Sequence, residues 1–194
     1  MKKIVLLTGG SGLVGRNIIN HNLSQNYKIL SPTSSNLNLL NYKDTEDYIA
    51  LNKPEIVIHA AGIVGGIEAN INHPVKFLFD NMQMGLNILM ASKTQSIKNF
   101  INLGSSSMYP KNAKNPLSEN SIMKGEFEPT NEGYALAKTA ITRLCEYIAR
   151  EDKSFLYKTV IPCNLYGKFD NFDYSNSHMI PGVIRKIHDA KNNK

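Results

Sequence analysis

The chain has 194 residues, which suits one domain with a sizeable buried core, so we expect a single domain over residues 1–194. Hydrophobic residues make up 42% and charged residues 20%, and no apolar run approaches the roughly 18 residues that span a bilayer, which favours a cytosolic globular protein without a membrane partner. The net charge of +6 comes from scattered lysines, not from a basic run interleaved with aromatic residues, so a phosphorylated small molecule is a better partner than nucleic acid.

The first predicted element is a strand over residues 3–8, a short apolar run typical of a buried parallel strand, and a helical pattern begins at Arg16. Between them, Gly9, Gly12 and Gly15 suit a tight turn, close approach to a pyrophosphate and close packing of helix on strand. Free N–H groups at the helix start favour an anion. The pattern therefore predicts a dinucleotide site. Its candidate residues are Gly9, Ser11, Gly12, Leu13, Val14 and Gly15.

A second strand is predicted over residues 27–30, and the loop after it, residues 31–36, contains no Asp or Glu. A carboxylate here would select NAD through the ribose 2′-hydroxyl. Hydroxyls such as that of Ser34, together with backbone N–H groups, can accept a 2′-phosphate that a carboxylate would repel. The loop therefore favours NADP(H), although ordinary turn chemistry explains the same residues.

The third predicted strand covers residues 55–62 and ends in Ala60, Ala61 and Gly62, whose small side chains let the backbone pass close beneath a cofactor. His59 is expected to be a buried histidine, because no second metal-binding residue is suitably spaced, and no metal site is predicted. Apolar positions at helical spacing then predict a helix from residue 74 to about residue 92.

A fourth strand, residues 99–103, is followed by three consecutive serines, Ser105, Ser106 and Ser107. Hydroxyls at the carboxyl end of a parallel strand lie where open α/β proteins bind ligands. Loop filler would explain the same three residues. Residues 111–129 lack periodicity, and we expect them to form a loop over the site.

The next predicted helix is capped by residues 130–132 and continues to about residue 150. It carries Tyr134 and Lys138, which 3.6 residues per turn would place on one face, one turn apart. A fixed ammonium there would favour the phenolate and lower the tyrosine pKa. Such a tyrosine could pass a proton to an oxygen that is becoming negative. The spacing alone is common by chance, and it gains meaning from the cofactor motif upstream.

A fifth strand is predicted over residues 158–162, followed by a polar loop. Strands that alternate with helices predict an α/β fold with a doubly wound parallel sheet. Cys145 and Cys163 have no CxxC partner, so we expect two small buried apolar residues, not a disulfide or a zinc site.

With these motifs in order, the chain resembles the extended short-chain dehydrogenase/reductases, which have a Rossmann fold, and among them the GDP-L-fucose synthases. The matching segments are residues 64–70, 103–111, 128–132, 162–167, 170–172 and 176–178. Together with the glycine motif they are distributed along nearly the whole chain. The resemblance implies an NADPH-dependent enzyme that epimerises C3 and C5 of GDP-4-keto-6-deoxymannose and reduces its C4 ketone, working as a homodimer through helices like those at 75–92 and 131–150.

The resemblance also implies roles for individual residues. Ser105 would hydrogen-bond the C4 oxygen, Tyr134 would protonate it, and Lys138 would bind the ribose and lower the tyrosine pKa. His178 would be the acid of epimerisation. Further implied cofactor-binding residues are Lys138, Pro162, Asn164, Leu165 and His178. Implied substrate-binding residues are Ser105, Ser106, Met108, Asn164, Arg185 and Lys186.

The sequence departs from this family in two ways. Ser107 stands where the family carries a cysteine used as the base of epimerisation, and a serine hydroxyl is far less acidic than a thiol with a pKa of about 8.5. We therefore expect C4 reduction with poor 3,5-epimerisation, or reduction alone on another GDP-4-keto-6-deoxy sugar. The family also continues into a C-terminal substrate-binding segment that we expect to be missing here, so a catalytically silent cofactor-binding module is the alternative.

Overall fold

A five-stranded parallel sheet organises the computed structural model, which describes residues 2–174 and 177–192. Its strands are β1 (Lys3–Thr8), β2 (Tyr27–Leu30), β3 (Ile56–His59), β4 (Asn99–Leu103) and β5 (Leu156–Val160). They lie in the order β2-β1-β3-β4-β5. The predicted doubly wound parallel sheet is confirmed, and its order reverses between β1 and β3, where open α/β sheets bind their ligands. Asn176, part of one matching segment, lies outside the described residues.

Six α-helices connect or follow these strands in the described residues. They are α1 (Leu13–Asn20), α2 (Tyr42–Asn52), α3 (Ile67–Asn72), α4 (Pro74–Thr94), α5 (Glu132–Glu151) and α6 (Met179–Asn192). Helix α4 packs against both α2 and α5. In the described part of the chain, none of the helices has both the length and the apolarity needed to cross a bilayer.

The core lies between the sheet and helices α4 and α5. Leu6, Val57, Phe100 and Tyr157 stand side by side on β1, β3, β4 and β5, and each is at most 4% exposed. They pack in one cluster with Ile88, Leu89, Cys145 and Ile148. Burying a large apolar side chain contributes roughly 1.5–3 kcal/mol, so this row fixes the relative register of four strands.

Several element boundaries differ from the sequence prediction. Strand β5 begins at Leu156 and ends at Val160, two residues early, because Asn99 pairs with Leu156 and Pro162 has no N–H to donate to the sheet. Helix α1 begins three residues before Arg16. The pattern did not indicate α2, whose buried face consists of Thr45 and Ile49 alone.

The two cysteines have different environments. Cys145 is buried, as expected, and burial raises the pKa of its thiol to about 12. Cys163 is exposed, so the prediction of a second buried cysteine is wrong. It lies beyond the end of β5, where the chain has left the sheet and its core.

Candidate functional site

The glycine-rich turn joins the end of β1 to the start of α1 and passes closely against β3. Gly9 has φ +73°, and a Cβ there would lie 2.6 Å from the backbone of Ala60 and Ala61. Gly15 is buried, and a Cβ there would lie 2.2 Å from the Gly9 carbonyl oxygen. The predicted tight turn and close packing of helix on strand are therefore confirmed, since any side chain at either position would displace the backbone.

The start of α1 offers a cradle for an anion. Its N-cap residue, Gly12, is exposed and makes no side-chain cap, and no acidic residue occupies the first turn. The nearest atom to a Cβ at Gly12 would be the Gly9 carbonyl oxygen at 3.4 Å. The first N–H groups of the helix, at Leu13 and Val14, thus have no side-chain cap, an arrangement that fits a diphosphate.

The loop after β2 lies beside this turn. A Cβ at Gly10 would be 1.7 Å from the Ser31 hydroxyl, so a side chain there would require Ser31 to turn away, a close approach that the sequence analysis did not identify. Within the loop, the Thr33 hydroxyl donates to Asn36 Oδ1 at 2.7 Å. Ser34 is exposed. Turn chemistry and a role in binding a 2′-phosphate therefore both remain compatible with this loop.

A row of polar side chains, three buried and one half-buried, crosses the sheet two residues beyond the apolar row. This polar row consists of Thr8, His59, Asn102 and Thr159, which are neighbours in register on β1, β3, β4 and β5. The Thr8 hydroxyl lies 2.8 Å from His59 Nδ1, and Asn102 Nδ2 donates to Thr159 Oγ1 at 3.2 Å. Because side chains alternate between faces, the polar row shares the face of the apolar row, just below the strand ends.

His59 is the most perturbed group of the polar row. It is 2% exposed, which confirms the expectation of a buried histidine. Burial, together with the charge of Lys138, lowers the His59 pKa to about 3, so the imidazole is neutral at physiological pH. The sequence signal for the polar row was one polar residue near the end of each of four strands. Because the register is not known from the sequence, this signal does not show that the four residues are neighbours.

Lys138 lies above the polar row. Its ammonium donates to the Leu103 carbonyl oxygen at 2.9 Å, at the very end of β4. The side chain is 7% exposed, and burial lowers its pKa to about 8. A Cβ at Gly62 would lie 3.7 Å from Lys138 Nζ, so the structure brings the small residues after β3 against the predicted lysine.

Asn81 fixes the segment that carries Gly62. Its Oδ1 accepts from the Ile63 N–H at 2.8 Å, and its Nδ2 donates to the Ile63 carbonyl at 3.0 Å. The residue is 5% exposed within α4. Sequence analysis missed it, although a polar residue on the apolar face of a helix was the signal that could have found it.

Tyr134 lies one turn before Lys138 on α5. The lysine ammonium is 5.7 Å from the centre of the tyrosine ring, so the predicted proximity is confirmed. The predicted lowering of the Tyr134 pKa is wrong in this structure. Burial raises that pKa, and the opposing influence is a hydrogen bond with Ser105. The phenol is therefore protonated, because the effect of burial outweighs that of the hydrogen bond.

Three hydroxyl groups, those of Ser105, Ser107 and Tyr134, form what we call the hydroxyl cluster. Ser105 is the N-cap of the short 3-10 helix Ser106–Met108, and its oxygen accepts from the Ser107 N–H at 3.2 Å. Its own hydroxyl donates to Ser107 Oγ at 3.1 Å. The Ser105 side chain also lies close enough to Tyr134 to act against the rise of its pKa that burial causes. The structure thus brings together three of the residues predicted to be catalytic, with Lys138 alongside.

Asn131 joins the hydroxyl cluster and was not predicted as a site residue. It is the N-cap of α5, but its side chain caps nothing. Instead Nδ2 donates to Ser107 Oγ at 3.4 Å, while Oδ1 is buried and lacks a partner among the described residues. The predicted cap position within residues 130–132 is therefore confirmed, but the side-chain hydrogen bond expected of a capping residue is absent. A buried acceptor left unpaired costs about 1–3 kcal/mol, which indicates a constraint other than helix stability.

Two other predicted residues lie beside the hydroxyl cluster, in different settings. Ser106 is half-buried in the 3-10 helix. Met108 is fully buried, with its methyl group near Gly104 and its sulfur 3.5 Å from the Thr142 hydroxyl. The Met108 side chain belongs to the core, so the expectation that it contacts substrate is not supported.

The residues predicted beyond β5 are not brought to the hydroxyl cluster. Pro162 is half-buried, and Asn164, Leu165, His178 and Lys186 are exposed. Across residues 2–174 and 177–192, no hydrogen bond joins the His178 side chain to Ser105, Tyr134 or Lys138. Arg185 instead donates to Asp189 Oδ2 at 2.6 Å on its own helix. The roles implied for these residues stay predictions.

A cavity of about 210 Å³ lies directly beside Tyr134. Asn70, Phe77 and Asn131 are among its lining residues. A larger cavity of about 500 Å³ lies within the loop of residues 110–126, which includes Lys111 and Lys124. In the described part of the chain, no group of three His, Cys, Asp or Glu side chains is placed to hold a metal ion.

The sequence of this chain is similar to those of known proteins. The model of the NAD dependent epimerase/dehydratase family matches residues 5–194. A GDP-L-colitose synthase from Yersinia pseudotuberculosis is 58% identical over 183 residues, 94% of this chain and 59% of that protein. A GDP-L-fucose synthase from Azorhizobium caulinodans is 50% identical over 188 residues, 97% of this chain and 60% of that protein.

Solved structures give the same picture. The GDP-mannoheptose C4 reductase from Campylobacter jejuni, with NADP bound, superposes with a TM-score of 0.89 at 26% identity, covering 98% of this chain and 58% of that chain. This chain therefore spans about three fifths of the length of the proteins it matches.

Proposed function

This chain belongs to the NAD dependent epimerase/dehydratase family, and we propose that it is an NADP(H)-dependent oxidoreductase that reduces the C4 ketone of a GDP-4-keto-6-deoxy sugar. The observation that carries the proposal is the meeting of Ser105, Tyr134 and Lys138 at the end of β4, beside the glycine-rich turn. The similar proteins are named for GDP sugars, which supports a GDP-sugar substrate.

The residues present fit NADP(H). The uncapped start of α1 at Gly12 would hold the diphosphate, the exposed hydroxyl of Ser34 would face the 2′-phosphate, and Lys138 beside Gly62 would hold a ribose. The NADP bound to the similar reductase supports this choice. When bound, NADPH supplies the hydride that reduces the C4 carbon.

The hydroxyl cluster supplies the proton. Tyr134, kept protonated by burial, donates its proton to the C4 oxygen as that oxygen becomes negative, and Ser105 donates a hydrogen bond to the same oxygen. The Lys138 ammonium then stabilises the phenolate that Tyr134 becomes. Positioned proton transfer of this kind contributes roughly 10²–10⁴-fold to the rate.

Epimerisation at C3 and C5 has weaker support. A serine replaces the family cysteine at position 107, and the His178 side chain is exposed. The names of the similar proteins include a C4 reductase as well as synthases of two different sugars. We therefore propose C4 reduction with little or no 3,5-epimerisation.

The assembly and location of the protein are also proposals. Helices α4 and α5 present exposed apolar side chains, with Phe79 60% and Tyr147 46% exposed, together with Val75 and Leu136. A second copy of the chain that packed these helices together would cover them, which supports a homodimer. A cytosolic location remains a prediction from the sequence.

The test follows deuterium from D₂O into GDP-4-keto-6-deoxymannose by NMR, first without NADPH and then with it. We expect NADPH oxidation that yields a sugar reduced at C4, with no deuterium at C3 or C5. Deuterium at both carbons, followed by GDP-L-fucose, would instead make the protein a full epimerase and reductase.

A second candidate function is a catalytically silent cofactor-binding module. The observation that favours it is that Asn164, Leu165, His178 and Lys186 are exposed in the structure and are not brought to the hydroxyl cluster. Tight NADPH binding without turnover of the keto sugar would overturn the proposed reduction and support this module.

A further inference from the structure

We propose that Asn131 is a positioning residue whose amide makes Ser107 a hydrogen-bond donor, so that Ser107 serves the reduction and not as the base of epimerisation. The inference rests on the proposed reduction and deepens it. It concerns Ser107, which stands where the resemblance to the family implies a cysteine.

The first step concerns how many hydrogen bonds the Ser107 hydroxyl can accept and donate. A serine hydroxyl has one proton to donate and two lone pairs that accept. Ser105 Oγ donates to Ser107 Oγ at 3.1 Å, and Asn131 Nδ2 donates to the same oxygen at 3.4 Å. Both lone pairs are therefore occupied. A base needs a free lone pair, so the remaining capacity of Ser107 is to donate its own proton.

The contacts of Asn131 carry the second step. An asparagine at an N-cap ordinarily accepts from an N–H of the first helical turn, but this one does not. In the part of the chain that the structure describes, its side chain makes one hydrogen bond, to Ser107, while its buried Oδ1 is unpaired. Asn131 makes no capping hydrogen bond and leaves one acceptor unpaired, but it does bond Ser107. We infer that it orients Ser107 and does not stabilise the helix.

The connection to Tyr134 carries the third step. In the structure the Ser105 proton goes to Ser107, so it is not available to Tyr134, and burial keeps the phenol protonated. When Ser105 has to donate elsewhere, the two serine hydroxyls rotate, so that Asn131 still donates to Ser107 and Ser107 donates to Ser105. The single Ser105 proton is then free for the C4 oxygen when the sugar is bound, or for a Tyr134 phenolate when it is not. Asn131 begins this chain because an amide nitrogen can only donate.

A double-mutant cycle with Asn131→Ala and Ser107→Ala tests the proposal. We expect Asn131→Ala to lower kcat for NADPH oxidation roughly twofold to tenfold, the loss typical of one neutral hydrogen bond, with no further loss in the Ser107→Ala background. Thr130→Ala is the matched control, because the Thr130 hydroxyl bonds Glu128 at 3.4 Å and not the hydroxyl cluster. Independent, additive losses would overturn the inference.

Asn131→Asp tests the direction of the bond. A carboxylate can only accept, so it would capture the Ser107 proton, and we expect kcat to fall at neutral pH. Activity should partly return as the pH falls and the new carboxyl group gains a proton that it can donate. A residue that merely supported the helix would produce no such pH profile, and an Asp variant as active as the natural protein would overturn the proposal.

A readout without turnover separates this inference from the proposed function. Phenolate formation at Tyr134, followed by ultraviolet difference titration against Tyr134→Phe, should shift to higher pH in Asn131→Ala but not in Thr130→Ala. If the shift is present and the keto sugar is not turned over, the proposed reduction fails and the role of Asn131 stands. If the sugar is turned over and the shift is absent, the role of Asn131 fails.

Discussion

Two regions of the molecule differ in how their side chains are held. The first is the hydroxyl cluster together with Lys138, and the second is the C-terminal segment, residues 161–174 and 177–192. The first has its side chains buried or half-buried and bonded to separate elements, since Lys138 on α5 bonds the end of β4 and Asn131 bonds Ser107. The second is mostly exposed, with Met179 79% and Ile187 64% accessible. Within it, Arg185 bonds Asp189 one turn along the same helix.

The two regions correspond to two different parts of the proposed chemistry. The groups proposed to deliver a proton are positioned by the register of a parallel sheet and by the packing of α5, so they are preorganised. The residues implied in epimerisation and in binding the nucleotide sugar lie on the segment that makes fewer such contacts. The same substitution made in both regions should therefore have unequal effects.

We expect the largest difference between the two regions when one tyrosine hydroxyl is removed from each. Tyr134→Phe removes the proposed proton donor, and we expect turnover of the keto sugar to fall roughly 10²–10⁴-fold with NADPH binding retained. Tyr174→Phe removes a hydroxyl that bonds Asp189 at the exposed surface of α6, and turnover should not change. Steady-state NADPH oxidation measures both variants. Equal losses would show that the two regions are coupled, and a loss of less than about tenfold in Tyr134→Phe would remove its role.

We expect the next largest difference when one glycine in the glycine-rich turn or in the C-terminal segment is changed to alanine. Gly15→Ala would place a Cβ 2.2 Å from the Gly9 carbonyl oxygen, and we expect a loss of about 1–3 kcal/mol in the free energy of unfolding together with weaker NADP binding. Gly182→Ala would place a Cβ 2.9 Å from the Ser177 hydroxyl, a side chain that can turn away. Because alanine favours helix over glycine, that variant should be as stable or more stable.

Thermal unfolding with and without NADP measures this pair. A stable Gly15→Ala variant that binds NADP normally would show that α1 can shift away from the turn. A destabilised Gly182→Ala variant would show that α6 is packed more tightly than its exposure indicates.

Local patterns in the sequence predicted the parts of the site that depend on neighbours along the chain. The glycine turn, the alternation of strands and helices, and the spacing of Tyr134 and Lys138 were all of this kind. The polar row could not be found this way, because Thr8 and His59 are 51 residues apart and meet only through strand register. Asn131 looked like a helix cap because local spacing does not show which of two partners a side chain bonds.

The pKa of Tyr134 was missed for a related reason. Helical spacing places the ammonium near the phenol, but it does not show how much protein surrounds either group. Both side chains are withdrawn from water, so burial raises the pKa of the tyrosine and lowers that of the lysine. Lys138 therefore titrates closer to working pH than the sequence suggested, which leads to the smallest of the expected contrasts.

Removing one positive charge should change the pH dependence of stability in one region only. The folded-state pKa of Lys138 is about 8, below the ordinary 10.5, so between these values the unfolded chain holds a proton that the folded chain has released, and stability rises with pH. From about pH 7 to about pH 9 the natural protein should gain about 1 kcal/mol in unfolding free energy relative to Lys138→Met. Lys186→Met, on the exposed face of α6, is the control and should follow the natural curve. Turnover should fall over the same range, because the cation that stabilises the phenolate is lost, and parallel curves for Lys138→Met and the natural protein would contradict the buried charge.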